Sequence, residues 1–251
     1  MRLKDRVAIV TGGGTGIGRG ICEVFGLEGA KVVVNYASSR EASEETAAAI
    51  RAAGGEAVAV QADVTSEAAV KGLIADTLAR WGRLDVLVNN AGWSKRTPHE
   101  DLDALTEEIW DRTLNTNLRG AFYCMRQAAP VLQQNPGSSI INVASIAPHY
   151  GGGSSIVYAA SKAGLLSMTK SFARILAPNV RVNALAPGFV RTRFAGWPQE
   201  TFDQAERESI LKRIATPEDL GRAAVFLAAD ALSITGECIN VDFGQTALGR
   251  K

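Results

Sequence analysis

Tyr158 and Lys162 lie four residues apart in a stretch with helical spacing, which sets a phenol and an ammonium on one face of a helix. An unperturbed phenol has a pKa of about 10, too high for ready proton exchange near neutrality. A cation held close favours the phenolate, and lowering the pKa by two to three units takes roughly 3 to 4 kcal/mol of differential stabilisation. Lys162 and a second, bound cation in a partly desolvated cleft are expected to supply it. Ser145 lies 13 residues upstream of Tyr158, just after the apolar run 140–143, where its hydroxyl can donate to a carbonyl oxygen. Such a set can move a proton on and off a C=O or CH–OH group. The pair alone is common on helix surfaces without any function, so its surroundings decide.

Those surroundings include a phosphate-cradling turn. Gly12, Gly16 and Gly18 follow the first strand-like run, with Thr15 and Ile17 between them, and open the first helical pattern. Backbone amides and the positive helix end at such a turn attract a pyrophosphate. The spacing is G-x3-G-x-G, not G-x-G-x-x-G, and a glycine cluster by itself is weak evidence; its place after the first strand is what points to a dinucleotide. An NAD-selective site carries an acid about 20 residues beyond the glycines. Here Asn35 and Tyr36 stand in that region, followed by Ser38, Ser39 and Arg40 as phosphate ligands. NADP(H) is therefore favoured over NAD(H), although Arg40 also reads as a solvated first-turn residue.

The elements that must position these groups follow from the apolar pattern. Short β-branched runs at 7–10, 31–35, 57–61, 84–89, 139–144, 180–185 and 238–242 predict seven buried strands. Helical patterns at 39–53, 66–81, 106–133, 158–176 and 216–229 fall between them, with Ser66 and Thr216-Pro217 as helix starts. This alternation predicts an α/β chain, a doubly wound Rossmann fold with a seven-stranded parallel sheet and helices on both faces. One domain is expected over 1–251. The stretch 188–214 has no clear period and reads as a substrate-binding loop within it.

Composition narrows the function. Of 251 residues 46% are hydrophobic, enough for a large core, and 27 basic against 26 acidic residues give a net charge of +1. That balance speaks against a broadly basic nucleic-acid binder or an acidic disordered tail. No apolar run is long enough to span a bilayer, and the N-terminal residues lead into a strand without a signal-peptide core, so a cytoplasmic, membrane-free protein is expected. Cys22, Cys124 and Cys238 are isolated and odd in number, fitting buried thiols rather than disulfides or a metal site.

Taken together, the chain resembles the short, single-domain branch of the short-chain dehydrogenase/reductase family. The resemblance runs over essentially its whole length. It is carried by Thr11 to Gly18, Asp63-Val64, Asn89-Asn90-Ala91-Gly92, Asn117, Ser145, Tyr158-x3-Lys162, Pro187-Gly188 and Val241-Asp242. The resemblance implies that Gly12, Gly16 and Gly18 hold the pyrophosphate and Asp63, beside Val64, binds the adenine amino group. It further implies that Asn89, Ala91 and Gly92 border the ribose, and that Thr192, after Pro187, Gly188 and Val190, meets the nicotinamide carboxamide. Lys162 would bind the ribose hydroxyls. Tyr158 would act as acid in reduction and base in oxidation, Ser145 would steady the carbonyl oxygen, and Asn117 would hold a water linking Lys162 to solvent. Many members are homotetramers built on the helices at 106–133 and 158–176. Two departures are visible: Thr15 stands where NADP-preferring members often carry a base, and Phe243 where a second glycine is common.

For substrate, general similarity is strongest to reductases of 3-oxoacyl carrier protein. The segments 131–138 and 177–179, expected beside the cleft, carry no Lys or Arg for an acidic carrier. A small ketone or secondary alcohol is therefore ranked first. Trp93, Ser94, His149, Tyr150, Phe189, Phe194 and Trp197 would face an apolar or cyclic substrate, unless these aromatics pack on the sheet edge or a neighbouring subunit instead. A nucleotide-sugar epimerase of the longer branch would need a further C-terminal domain, for which few residues follow Asp242. A non-catalytic NADP(H)-binding regulator would be expected to lack Tyr158 or Lys162.

Overall fold

The structure, a computed structural model, describes residues 1–249. Seven parallel strands form one sheet in the order β3-β2-β1-β4-β5-β6-β7. They are β1 (Val7–Val10), β2 (Lys31–Tyr36), β3 (Glu56–Gln61), β4 (Val86–Asn89), β5 (Ser138–Val143), β6 (Val180–Pro187) and β7 (Cys238–Val241). Each expected strand is present to within two residues at either end.

Side chains alternate across this sheet, and each face has its own core. Ala8, Val10, Val32, Val34, Val86, Val88 and Ile141 pack with α1 (Gly16–Leu27), α2 (Arg40–Ala52) and, near β6, α8 (Pro217–Val225). Their neighbours Val7, Ile9, Val33, Leu87 and Ile140 point the other way. That face is covered by α3 (Glu67–Trp81), α5 (Gly120–Leu132) and α6 (Ile156–Leu176). Buried on both sides, these strands are near-continuous apolar runs, which made them legible.

The helices depart from expectation in two ways. The run 106–133 is not one α-helix: α4 (Glu107–Leu114) passes into a π turn at Asn115–Arg119 before α5 begins. A π turn inserts a residue without changing the apolar spacing enough to show in sequence. Within 188–214 lies α7 (Gln199–Glu208). Only Phe202 and Ala205 of α7 are buried, too few to reveal a period. The helix starts behaved as read: Ser66 accepts from the Ala69 amide at 3.3 Å, and Thr216 forms a reciprocal capping box, its partner being Asp219.

At the far end of the sheet a buried cation holds the last helical turns. Arg181 on β6 donates to the carbonyls of Leu227 (2.5 Å), Ala231 (3.0 Å) and Ala228 (2.9 Å), and Arg6 reaches the Ala228 carbonyl at 3.2 Å. These carbonyls end the π turn Phe226–Asp230 after α8, where negative partial charge gathers. Burial and the nearby Arg6 lower the Arg181 pKa. Arg181→Met should remove the guanidinium from all three carbonyls, leaving Leu227 and Ala228 only the longer bonds from Ser139 (3.4 Å) and Arg6 (3.2 Å), and destabilise the protein by about 2 to 4 kcal/mol in urea unfolding. An unchanged midpoint would show that water replaces the guanidinium.

Candidate active site

The strand order reverses direction at β1, between β2 and β4, and a crevice opens there beyond the carboxyl ends of the strands. It is a cleft of about 1800 Å³. Gly12, Thr15, Gly16 and Ile17 line one wall. Gly12 has φ +62°, and a Cβ there would come within 3.1 Å of the Ala91 Cα. Gly18 does not line the cleft; a Cβ on it would run into the Gly12 carbonyl oxygen, so its role is to let α1 start against the turn. Thr15 caps α1 without a side-chain bond, and no acid occupies the first turn. The helix end is left to an external anion, and this cradle fits a pyrophosphate.

Thr11 and Asn90, which belong to family motifs but have no role assigned from sequence, hold the turn together. Thr11 Oγ1 accepts from the amides of Asn90 and Ala91, both at 3.0 Å. Asn90 Nδ2 donates back to the carbonyls of Thr11 (2.9 Å) and Gly12 (3.0 Å). Ala91 and Gly92 line the cleft as expected. Asn89 does not: its side chain donates to Asn142 Oδ1 at 2.8 Å, and Asn142 donates to Thr169 at 2.9 Å, inside the core. Alternation along β4 sends Asn89 into the core and leaves Asn90 at the turn.

The end of the cleft beyond β2 and β3 is bordered by Tyr36, Ser38, Asp63 and Val64. Asp63 Oδ1 accepts from the amide and hydroxyl of Thr65 at 2.9 and 2.8 Å, which fixes the carboxylate. Asn35 points back into the sheet, donating to the carbonyls of Val60 and Ala62. Arg40 opens α2 on the exposed side and is not among the cleft-lining residues, so the reading of it as a solvated first-turn residue fits the geometry.

Tyr158, Lys162 and Ser145 all line the opposite end. Ser155 caps α6 by accepting from the Tyr158 amide at 3.2 Å, which sets the tyrosine in the helix's first turn. Lys162 is buried, donates to the Val143 carbonyl at 2.7 Å, and sits 5.9 Å from the centre of the Tyr158 ring. The expected depression of the phenol does not occur in the protein alone. Burial pushes the Tyr158 hydroxyl up to about 12, opposed only by its hydrogen bond with Ser145. Burial also brings Lys162 down to about 8. Lys162 is committed to a carbonyl on β5, and desolvation therefore outweighs the pull of the ammonium on the phenol.

Asn117 sits in the π turn, and its side chain is fully engaged. Its Oδ1 accepts from the Trp93 amide at 2.7 Å, while Nδ2 donates to the Trp93 carbonyl at 3.0 Å and to Ser161 at 3.1 Å. Ser161, another residue not anticipated, passes the contact on to the Tyr158 carbonyl at 2.7 Å. Asn117 thus ties the loop after β4 to α6.

The segment after β6 forms the last wall. Pro187 and Gly188 line the cleft, and Val190 pairs with Ala215 in an isolated parallel bridge. Thr192 reaches across to the glycine turn, 3.3 Å from where a Gly16 Cβ would stand. Phe194 packs on Tyr158, ring centres 5.8 Å apart, and Phe189 packs edge-on against Trp197 and Phe202 at 5.7 and 6.3 Å. Trp93 and Tyr150 complete an aromatic wall. Ser94 and His149 do not line it: Ser94 pairs with Ser154 at 2.5 Å, and His149 faces solvent.

Residues 12–246 match a family model described as enoyl-(acyl carrier protein) reductase. A 3-oxoacyl-[acyl-carrier-protein] reductase of Staphylococcus epidermidis is 37% identical, over 96% of this chain and 99% of its own. One from Synechocystis is 39% identical over 97% and 98%. The chain belongs to the short-chain dehydrogenase/reductase family. It is an oxidoreductase of the CH–OH/C=O couple. Among solved structures, a short-chain dehydrogenase of Burkholderia cenocepacia in complex with NADP superposes with a TM-score of 0.90 at 31% identity, over 98% of this chain and all of its own. No described helix is long and apolar enough to cross a membrane, and no described cluster of His, Cys, Asp or Glu could hold a metal.

One expectation about substrate fails on topology. The uncharged segments 131–138 and 177–179 precede or open β5 and β6, so they lie at the amino ends of the strands, opposite the cleft. Asn179 and Gln133 simply close that corner, with a 3.1 Å bond between them. Their lack of charge says nothing about a carrier docking at the cleft, whose lining includes Arg112, Arg119 and Arg193.

Proposed function

We propose that the protein is an NADP(H)-dependent reductase of ketones, acting in reverse on secondary alcohols, with Tyr158 as its general acid. The observation that carries this reading is the meeting of the Tyr158 phenol, Ser145 and Lys162 in the switch-point cleft. NADP(H), when bound, exchanges the hydride with the substrate carbon. The chain's own residues do the rest. The amides of α1 and the glycine turn hold the pyrophosphate, and Tyr36, Ser38, Asp63 and Val64 border the adenosine. Thr192 and the segment around it cover the nicotinamide end.

Ser145 Oγ accepts from the Ala147 amide at 3.1 Å, so the hydrogen it shares with the Tyr158 oxygen is the one that turns to the substrate oxygen. Tyr158, with its pKa near 12, is an acid at neutral pH and gives its proton to the same oxygen. In oxidation the phenol must first lose that proton, which the chain's own charges do not favour. Lys162 binds the ribose hydroxyls. Asn117 holds the water that links Lys162 to solvent, while its side chain ties the loop after β4 to α6.

The preference for NADP(H) is supported by the missing acid at the end of β2 and by the NADP complex of the Burkholderia cenocepacia structure. Arg40→Ala, at an exposed residue off the cleft, should change the ratio of NADPH to NADH affinity by less than about twofold in fluorescence titrations. A selective loss of NADPH affinity would bring Arg40 into the phosphate site. The segment 188–214, with its aromatic wall, is the substrate-binding part of a single domain. The family's homotetrameric assembly through α4–α5 and α6, and a cytoplasmic location, complete the proposal.

A second reading, reduction of 3-oxoacyl groups on carrier protein, is favoured by the relatives' names and by the arginines lining the cleft. The deciding assay follows loss of NADPH and NADH absorbance against an acetoacetyl thioester, cyclic diketones and keto-sugars. Turnover of the thioester with NADPH selects the carrier reading; turnover confined to cyclic or aromatic ketones selects the small-ketone reading. No turnover of any ketone would overturn both.

A further inference from the structure

The residues that follow β7 hold the segment 188–214 at both ends. At the leading end, the Gly188 amide donates to the carbonyl of Val241, the last residue of β7, at 3.1 Å, and a Cβ on Gly188 would stand 3.0 Å from the Asp242 Cβ. Asp242 in turn accepts from the amides of Gly244 (3.0 Å) and Thr246 (2.7 Å), which fixes the tight turn into α9 (Gln245–Leu248). At the trailing end, a Cβ on Gly244 would lie 3.8 Å from the Ile210 Cβ. The Arg213 guanidinium lies 5.5 Å from the centre of the Phe243 ring.

Phe243 itself is in an unusual state. Its φ is +52°, in the left-handed region that a bulky side chain avoids and that glycine enters freely. A backbone held there at a cost of order 1 kcal/mol or more persists only where the surroundings favour the side chain. Two groups do so here: the ring packs against the core cluster containing Val190 and Ala215, and its other partner is Arg213. Arg213 has no carboxylate partner among the described residues.

We propose that Phe243 and Arg213 form a clasp that pins the trailing end of 188–214, so that this pair sets how firmly the aromatic wall closes over Tyr158 and hence the affinity for substrate. The inference rests on 188–214 being the substrate-binding segment. Phe243 and Arg213 are positioning residues, acting through Phe189, Phe194 and Trp197, which belong to the same segment. Loosening the clasp lowers the population of the closed form, and apparent affinity falls in proportion.

The test uses the full-length protein and two variants that break the clasp differently. Phe243→Gly removes the ring and relieves the backbone; Arg213→Gln removes the cation and leaves the backbone alone. Each should raise KM for the best ketone of the panel roughly three- to fivefold, the range of a partly exposed cation–π contact. Turnover number and NADPH affinity should stay within about twofold, since neither residue lines the cofactor site. The double variant should do no more than either single one, and Phe243→Tyr, which keeps the ring, should restore the wild-type KM. Amide hydrogen exchange over 199–212, in the protein without ligand, should quicken in both variants. Unchanged exchange in both would overturn the clasp. Faster exchange with an unchanged KM would instead overturn the substrate-binding reading of 188–214.

Discussion

Tyr158→Phe should lower kcat by about 10³-fold while leaving NADPH affinity within about twofold of wild type. The variant removes only the hydroxyl. The ring keeps its packing on Phe194 and its place beside Lys162, so the cleft and the fold should be undisturbed. What is lost is the phenol hydroxyl hydrogen-bonded to Ser145, and with it the proton that the reduced oxygen must gain. Steady-state kinetics in the reducing direction, with affinity read separately by fluorescence titration, gives both quantities. Near-full activity would place the acid elsewhere and remove the basis of the proposed mechanism. A large loss of NADPH affinity would mean that the hydroxyl has a binding role.

Lys162→Met carries the second large effect, and it should fall on both binding and turnover. The methionine fills the volume of the aliphatic stem but cannot reach the ribose hydroxyls or the Val143 carbonyl. Loss of a charged donor to buried acceptors costs about 1.5 to 3 kcal/mol, so NADPH affinity should weaken by roughly one to two orders of magnitude. In the wild type the same interaction should fade as Lys162 loses its proton above about pH 8. The linked stability has the opposite sign from a salt bridge. Folding lowers this lysine from 10.5 to about 8, so the penalty for burying the ammonium is full below about 8 and is lifted as pH rises toward 10.5. Between those limits the cofactor-free wild type should gain stability with pH, and Lys162→Met should lack that contribution. NADPH affinity unchanged in the variant would contradict the ribose role.

Much of the molecule was readable because burial on both faces writes strands as apolar runs: β1 to β7 stand where their sequences put them. The proton-handling set was readable for a different reason. Tyr158, Lys162 and Ser145 are fixed by local spacing on one helix and at one strand end, and the sheet brings them together. What escaped was set by contacts distant in sequence. Which of Asn89 and Asn90 faces the cleft depends on the phase of β4, a matter of one residue. The work of Thr11 and Ser161 lies in bonds to backbone on other elements, and neither side chain advertises it. The helix α7 was hidden because Phe202 and Ala205 alone face inward. The high phenol pKa was missed because proximity in sequence says where Lys162 is, not which oxygen its ammonium has chosen.

The bridge between Val190 and Ala215 has one more consequence. It joins the two ends of the excursion that carries α7, so the sheet experiences that excursion as a fixed pair of anchor points whatever lies between them. The entropy of closing such a loop grows only logarithmically, about 0.6 kcal/mol for each doubling of its length. Residues can therefore be added or removed between the anchors at small thermodynamic expense, while the strands, the glycine turn and Tyr158 keep their places. In an architecture of this kind the chemistry is held constant by the sheet, and the range of molecules admitted to it is free to drift by insertion and deletion.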